Sequence, residues 1–434
     1  MSSVVESGAA LSMAASLELG ERLGDAPEMA RLRSEGAATA SVMRWPNPRS
    51  ERPWKYLDVT SLDLSAYWPA LDAVTPAAEF RRGLPASSER SGVFGQENGD
   101  ALITGAEADG LRITSFEAAD ARQQVLLAAH LGTLVPPGKS RFTALHYAFL
   151  RGGALIEVAP NTEVKLPVRV LRSLATGGQF AAPHTLIVTG SNSRVSVVEE
   201  YTSGDGDILA TPVVEVFPGP GAEVRYTAIY RWGANTRSFG EQRTVTQRDS
   251  AFHGLQLALG GRVVKGHIES SLQGRGSTSE LLGLGFGTAE QHLDFYTLQD
   301  HIGPDTRSDL LFKSALKGRS RAVYYGVTRV GLGANNADAN QENRNLLLSR
   351  EAKADSDPVL EILTSNVIRC SHGATAGPVD EEQLYYLQTR GISRPDAESL
   401  LVRAFLGQVI DRVPGEALRT ELETLLDEQL GATK

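Results

Sequence analysis

The chain has 434 residues, 41% of them apolar and 22% charged, with a formal net charge of −9 and a single cysteine. This length exceeds what one compact core usually holds and predicts two or three domains, while the acidic balance argues against a nucleic-acid partner. One cysteine excludes an internal disulfide and suits a reducing cytoplasm.

Residues Met1 to Leu19 carry Glu6 and Glu18 and no basic segment, so no signal peptide is predicted. No stretch approaches about 18 uninterrupted apolar residues, so no membrane span is expected. Leu11, Ala14, Ala15, Leu17, Leu19 and Leu23 predict a helix, broken at Gly24-Asp25-Ala26-Pro27. A second helix runs through Met29, Ala30 and Leu32 and ends at Trp45-Pro46-Asn47-Pro48. Glu51–Val59, with Trp54 and Tyr56, reads as an extended arm strapped to the body, and residues 73–100 as a connector.

From about Ala101 to Ile368 short alternating runs recur, such as Thr185–Val188, Arg194–Val198 and Ala322–Val327. Turns rich in glycine separate them, which predicts an all-β body interrupted by one helix over Glu117 to Leu131. Few Asn-Gly hairpin signals occur, and Asn335-Asn336, Asn340, Asn343 and Asn345 stand where ladders of stacked side chains form. A parallel β-helix is therefore favoured over a sandwich, although no strict repeat period is visible. Gly283-Leu284-Gly285-Phe286-Gly287 lacks a following Lys-Ser/Thr and reads as tight turns, not a phosphate loop; no Walker A motif occurs.

The tail turns helical. Asp380 with Gln383 opens one helix, closed by Arg390-Gly391. Ser393 with Asp396 opens a second, and a third begins near Pro414 with Leu418, Leu422, Leu425, Leu426 and Leu430 on one face. Such a stripe on a terminal helix suits a partner.

Cys370 and His372 carry the most chemistry. On a strand, residues two apart share a face, which sets thiol and imidazole side by side. Both ligate metals and both serve nucleophilic or acid–base chemistry. A cysteine-dependent hydrolase or transferase with a Cys370/His372 pair is one reading. It is weakened because Cα atoms two apart lie about 6.5–7 Å from each other and no orienting third residue is evident. A carbohydrate-active β-helix enzyme is another, but no groove-like cluster of acids and aromatics stands out. His292, Asp294 and His301 invite a metal site, with His301 one turn beyond the other two; a hydrogen-bonded polar ladder is the competing expectation.

The segment Asp380–Ile392, directly after Cys370-Ser371-His372-Gly373-Ala374-Thr375, resembles the SufB/SufD family of iron–sulfur cluster assembly proteins. Gln291–Asp294, His301 with Asp305–Asp309, Asn345–Ser349, Glu351–Ala354 leading to Pro358–Ile362, and Trp54-Lys55-Tyr56 fit the same pattern. The likeness spans most of residues 45–410, and the Cys-Ser-His-Gly-Ala-Thr run is most similar to the family's SufD subunit. The resemblance implies a mainly β fold: a right-handed parallel β-helix over residues 96–377, flanked by an N-terminal helical region and arm over 1–95 and a C-terminal helical domain over 378–434. It implies a non-enzymatic cytoplasmic scaffold subunit that pairs with a SufB-like subunit and acquires iron for a nascent cluster. A SufC-like ATPase would dock on the C-terminal helices, and a homodimer is the alternative state of the free chain. A transient iron–sulfur cluster would be shared with SufB, with His372 as the metal ligand and Cys370 beside it. Reduced flavin is implied only at the level of the complex. A durable cluster usually takes four protein ligands, mostly thiolates, so a chain with one cysteine lends only part of a site.

Overall fold

In the computed structural model, residues 11–69, 86–175 and 177–431 are described. Two long sheets dominate them, one of 12 strands and one of 10. From Val168 onward the chain visits the two sheets in turn, and each strand pairs in parallel with the strand one coil earlier. That alternation is a two-sheet parallel β-helix. Its lumen is filled by inward side chains such as Val197, Tyr226, Phe252, Leu281, Phe295 and Leu310.

A coil period is present although the alternation pattern hides it. Asn161, Asn192, Gly221, Asp249, Gly276, Asp305 and Asn336 all adopt positive φ, at steps of 27–31 residues. Glycine reaches this region freely, and Asn and Asp are the side chains that tolerate it best. Each backbone N–H at this corner donates to a carbonyl one coil later, from Asn161 to Ser191 through Asn336 to Asn366. The steps differ because intervening loops vary by a few residues, so no fixed repeat stands out in the sequence.

The glycines of Gly283–Gly287 are not turns. They lie inside the strand Thr278–Gly287, where a Cβ at Gly283 would sit 2.2 Å from the Phe312 ring one coil on. Here glycine leaves room for a neighbouring ring.

Helices α1 (Met13–Leu23) and α2 (Pro27–Val42) stand where the sequence predicts them, with Ser12 capping the first and Gly24 ending it at φ 66. The expected helix over 117–131 is α3 (Ala121–His130), shortened because Asp120 caps it. Helix α4 (Arg141–Ala148) has no counterpart in the sequence reading; every residue after Arg141 is buried, so no polar face marks it. It packs between α2 and the outer face of the 12-stranded sheet. Part of the connector expected over 73–100 lies outside the described residues. The rest corrects that expectation, because Gly92–Glu97 is a fully buried strand that pairs with Asp100–Ala106 and Val168–Leu174.

The arm straps the body but is not extended there, since Arg52–Trp54 forms a 3-10 turn. Trp54 stacks on Phe142 and Phe239, with ring centroids 5.5 and 6.0 Å away, and Arg52 pairs with Asp357 near the far end of the same sheet. Helices α5 (Glu381–Thr389), α6 (Arg394–Ile410) and α7 (Glu416–Leu430) follow the last strand. Val402, Leu406, Val409, Leu422 and Leu426 of α6 and α7 bury against Val198, Ile229, Leu255, Leu282 and Leu311 on the outer face of the 10-stranded sheet.

Candidate functional site: the open terminal coil

Cys370 and His372 lie on the strand Val367–Pro378, which ends the 10-stranded sheet. One edge of that strand pairs with Ala337–Leu347; the other has no strand partner among the described residues. Lys353–Ile362 ends the 12-stranded sheet in the same way. Earlier strands are mostly buried, whereas these two are half-buried or exposed throughout, and Ile362, Leu363 and Ile368 are exposed. Open edges carrying apolar side chains call for a cover.

Register decides where the two side chains point. His372 aligns with Gln341, Leu310, Leu281, Gly254, Tyr226 and Val197, which is an inward column of the lumen. Cys370 aligns with Ala339 in the adjacent inward position. Thiol and imidazole therefore share one face, as a strand of that sequence requires. The sulfur side is half-buried against Val330, Ala334, Ala337 and Val367. Burial pushes the Cys370 thiol up. His372 is exposed, and among the described residues its ring has no hydrogen-bond partner.

Beneath this pair the lumen turns from apolar to polar. Gln341 accepts from Thr328 at 2.9 Å and donates to the Gly326 carbonyl at 3.1 Å. Asn345 donates to Asn343 at 2.7 Å and to Ser356 at 3.1 Å. This set was not singled out as a unit in the sequence. The asparagines do form ladders, but on both faces: Asn336 and Asn340 donate outward to Asp305 and Asp309, and Ser371 donates to Asn340, while Asn343 and Asn345 face inward.

The Cys370/His372 hydrolase reading gains nothing here. A nucleophilic thiol needs a lowered pKa, and burial acts in the opposite direction. The expected His292/Asp294/His301 grouping is corrected. His301 is not one turn further on; it ends the same 10-residue strand that His292 begins, about 30 Å away. His292 and Asp294 face outward, where Asp294 meets Lys265 at 2.8 Å and His292 at 3.6 Å. Burial alone would raise the Asp294 carboxyl, but Lys265 and His292 hold it below the usual carboxylate range. His301 faces the lumen, with Thr306 and Ser308 hydroxyls each 2.8 Å from a ring nitrogen. No group of three or more His, Cys, Asp or Glu placed to hold a metal occurs among the described residues. None of their helices is long and apolar enough to cross a membrane.

Comparison with known proteins agrees with the fold. Residues 172–405 match the SufBD core domain of SUF-system FeS cluster assembly. The chain is 30% identical over 294 residues to the iron-sulfur cluster assembly protein SufD of Bacillus subtilis, covering 67% of each chain. It is 26% identical over 373 residues to SufB of the same organism, covering 86% of this chain and 78% of the relative. An iron-sulfur cluster assembly SufBD family protein of Mycobacterium tuberculosis is 29% identical over 360 residues, 81% of this chain and 86% of the relative. The chain belongs to the SufBD family of iron–sulfur cluster assembly proteins.

Proposed function

We propose that the chain is a SufD-like, non-enzymatic scaffold subunit working in the cytoplasm, which lends His372, with Cys370 beside it, to a nascent iron–sulfur cluster completed by a SufB-like partner. The observation that carries this is the placement of both side chains in the inward columns of the last coil, on a strand whose free edge has no partner among the described residues. A lumen column of Val, Tyr and Leu has no chemical use for an imidazole at its mouth. A second β-helix set against that mouth would face it with further ligands. The cluster is cargo: one thiol and one imidazole hold it too weakly to keep it, which suits release.

Partner pairing by the open edges would cover Ile362, Leu363 and Ile368. Free of that partner, two copies would meet through the same edges as a homodimer. The helices over 378–434 are the proposed dock for a SufC-like ATPase: Tyr385, Tyr386 and Leu400 are exposed while their opposite faces rest on the sheet. Reduced flavin and iron acquisition belong to the assembled complex in this proposal.

The test is co-expression with SufB-like and SufC-like subunits, followed by anaerobic iron and sulfide analysis of the purified assembly. The reading expects a ternary complex that gains iron and sulfide, and an isolated chain that does not retain them. A stable cluster on the isolated chain, or no association with either subunit, would overturn it.

A further inference from the structure

We infer that a second site lies far from the terminal coil, in a cleft of about 470 Å³ between the N-terminal arm and the outer face of the 12-stranded sheet, and that it takes a planar aromatic ring carrying an anionic group, the chemistry of a mononucleotide. Sites for ligands of that size commonly enclose about 300–1,000 Å³ and combine an apolar wall with a few polar groups.

The wall is aromatic. Phe142 and Phe239 stack with centroids 4.1 Å apart at 16°, and Trp54 lies nearly parallel to Phe142 at 13°. Trp45 leans on Phe142 from the side, its centroid 5.0 Å away. Each ring comes from a different place in the chain: Trp45 from the segment after α2, Trp54 from the arm, Phe142 from α4, and Phe239 from the strand Arg237–Thr246. Phe142 and Phe239 are buried behind the two indoles, so the apolar surface open to the cleft is that of the half-buried Trp45 and Trp54, against which a further ring can pack.

Charge selects the rest of the ligand. Four cations, Arg44, Lys139, Arg141 and Lys265, line the cleft with two carboxylates, Glu51 and Glu241. Two of the cations are already committed. Lys139 bonds Glu241 at 2.6 Å and Glu269 at 3.3 Å, and Lys265 bonds Asp294 at 2.8 Å and the Pro53 carbonyl at 2.6 Å. Arg44 and Arg141 have no carboxylate partner among the described residues. Arg141 is the more telling. Its guanidinium carbon lies 4.4 Å from the centroid of the Trp45 ring, and its Nε is buried with no hydrogen-bond acceptor among the described residues. A buried donor on a cation is costly to leave unmatched, and a guanidinium beside a ring still offers N–H donors that suit a phosphate or carboxylate oxyanion. The pairing of a ring tier with two uncommitted guanidinium groups fits one molecule that is aromatic at one end and anionic at the other.

The experiment uses the full chain and AMP, with adenosine and inorganic phosphate as separate arms. Binding is read by saturation-transfer NMR on the adenine protons and by quenching of tryptophan fluorescence. AMP should bind saturably, with adenosine and phosphate each weaker, and Arg141→Gln should weaken AMP about tenfold at unchanged circular dichroism. If Arg141→Gln fails to fold, Arg44→Gln at an exposed position supplies the same comparison. No saturation transfer to AMP, or an affinity unchanged by the arginine substitution in a folded variant, would overturn the inference. Both readouts are indifferent to cluster assembly, so this site and the terminal-coil reading stand or fall separately.

Discussion

His372 and Gln341 are Cα partners on the last two strands of the 10-stranded sheet, yet Gln341 is 1% exposed and His372 is exposed. They occupy the same inward column one coil apart. The difference is that a further strand lies over Gln341, while no strand among the described residues lies over His372. An exposed side chain with no partner contributes little to folding, usually within about 0.5 kcal/mol. His372→Ala should therefore leave the thermal midpoint unchanged while abolishing cluster assembly in a reconstituted complex. Iron and sulfide content, set beside a melting curve, checks both halves. Full assembly by the folded variant would remove His372 from the site.

Much of this was legible in the sequence. The side-by-side placement of Cys370 and His372 follows from strand geometry alone, and the arm and terminal helices announce themselves through Trp, Pro and capping residues. What stayed hidden has physical causes. Helix α4 is buried on every side after Arg141, so it shows no 3.6-residue alternation; only Ser140, which accepts from the Thr143 N–H, signals its start. The coil period was concealed because its marker is a backbone conformation shared by Asn, Asp and Gly, not one residue type. His301 lies far from His292 because a 10-residue strand runs on between them, with no turn to bring them together.

His301 gives a pH prediction. Burial drives its imidazole down from 6.5 to about 4, and two hydroxyls satisfy its ring nitrogens in the lumen. A histidine whose folded pKa is depressed binds more protons when unfolded, so its share of stability is whole above pH 6.5 and is lost as pH falls toward 4. Urea denaturation between those values should show a decline on the order of 1–3 kcal/mol attributable to this group. In His301→Gln that segment of the pH profile should flatten. An unchanged slope would mean that another group governs it.

Two glycines three coils apart in the 10-stranded sheet offer a paired comparison. A Cβ at Gly283 would lie 2.2 Å from the Phe312 ring, whereas one at Gly373 would meet nothing within 4 Å. Gly283→Ala forces the ring or the backbone to move and should destabilise by about 1–3 kcal/mol. Gly373→Ala, on the uncovered strand, should be silent in the same urea titration. Its effect should instead appear in association with a SufB-like subunit if that edge is where the partner sits.

Arg33 shows how the N-terminal helices are held. Its guanidinium, 1% exposed on α2, meets the Asp25 carboxylate at 2.5 Å through Nε and donates to the carbonyls of Ala148 and Leu150 at 2.8 and 2.9 Å. Those carbonyls lie at and just beyond the C-terminal end of α4, where carbonyls lack helical partners and a cation is favoured. Asp25→Ala would leave that guanidinium buried beside carbonyl dipoles alone. Breaking one side of a buried pair costs about 3–5 kcal/mol, more than removing an exposed pair such as Arg31–Glu35. Asp25→Ala should thus lower the denaturation midpoint strongly and Glu35→Ala hardly at all. Because the tie anchors α2 onto α4 and not onto the terminal coil, proteolysis should begin near residues 24–50 in Asp25→Ala, and iron loading in a complex formed below its melting point should persist. Loss of loading before any N-terminal cleavage would show instead that the two ends of the solenoid are coupled.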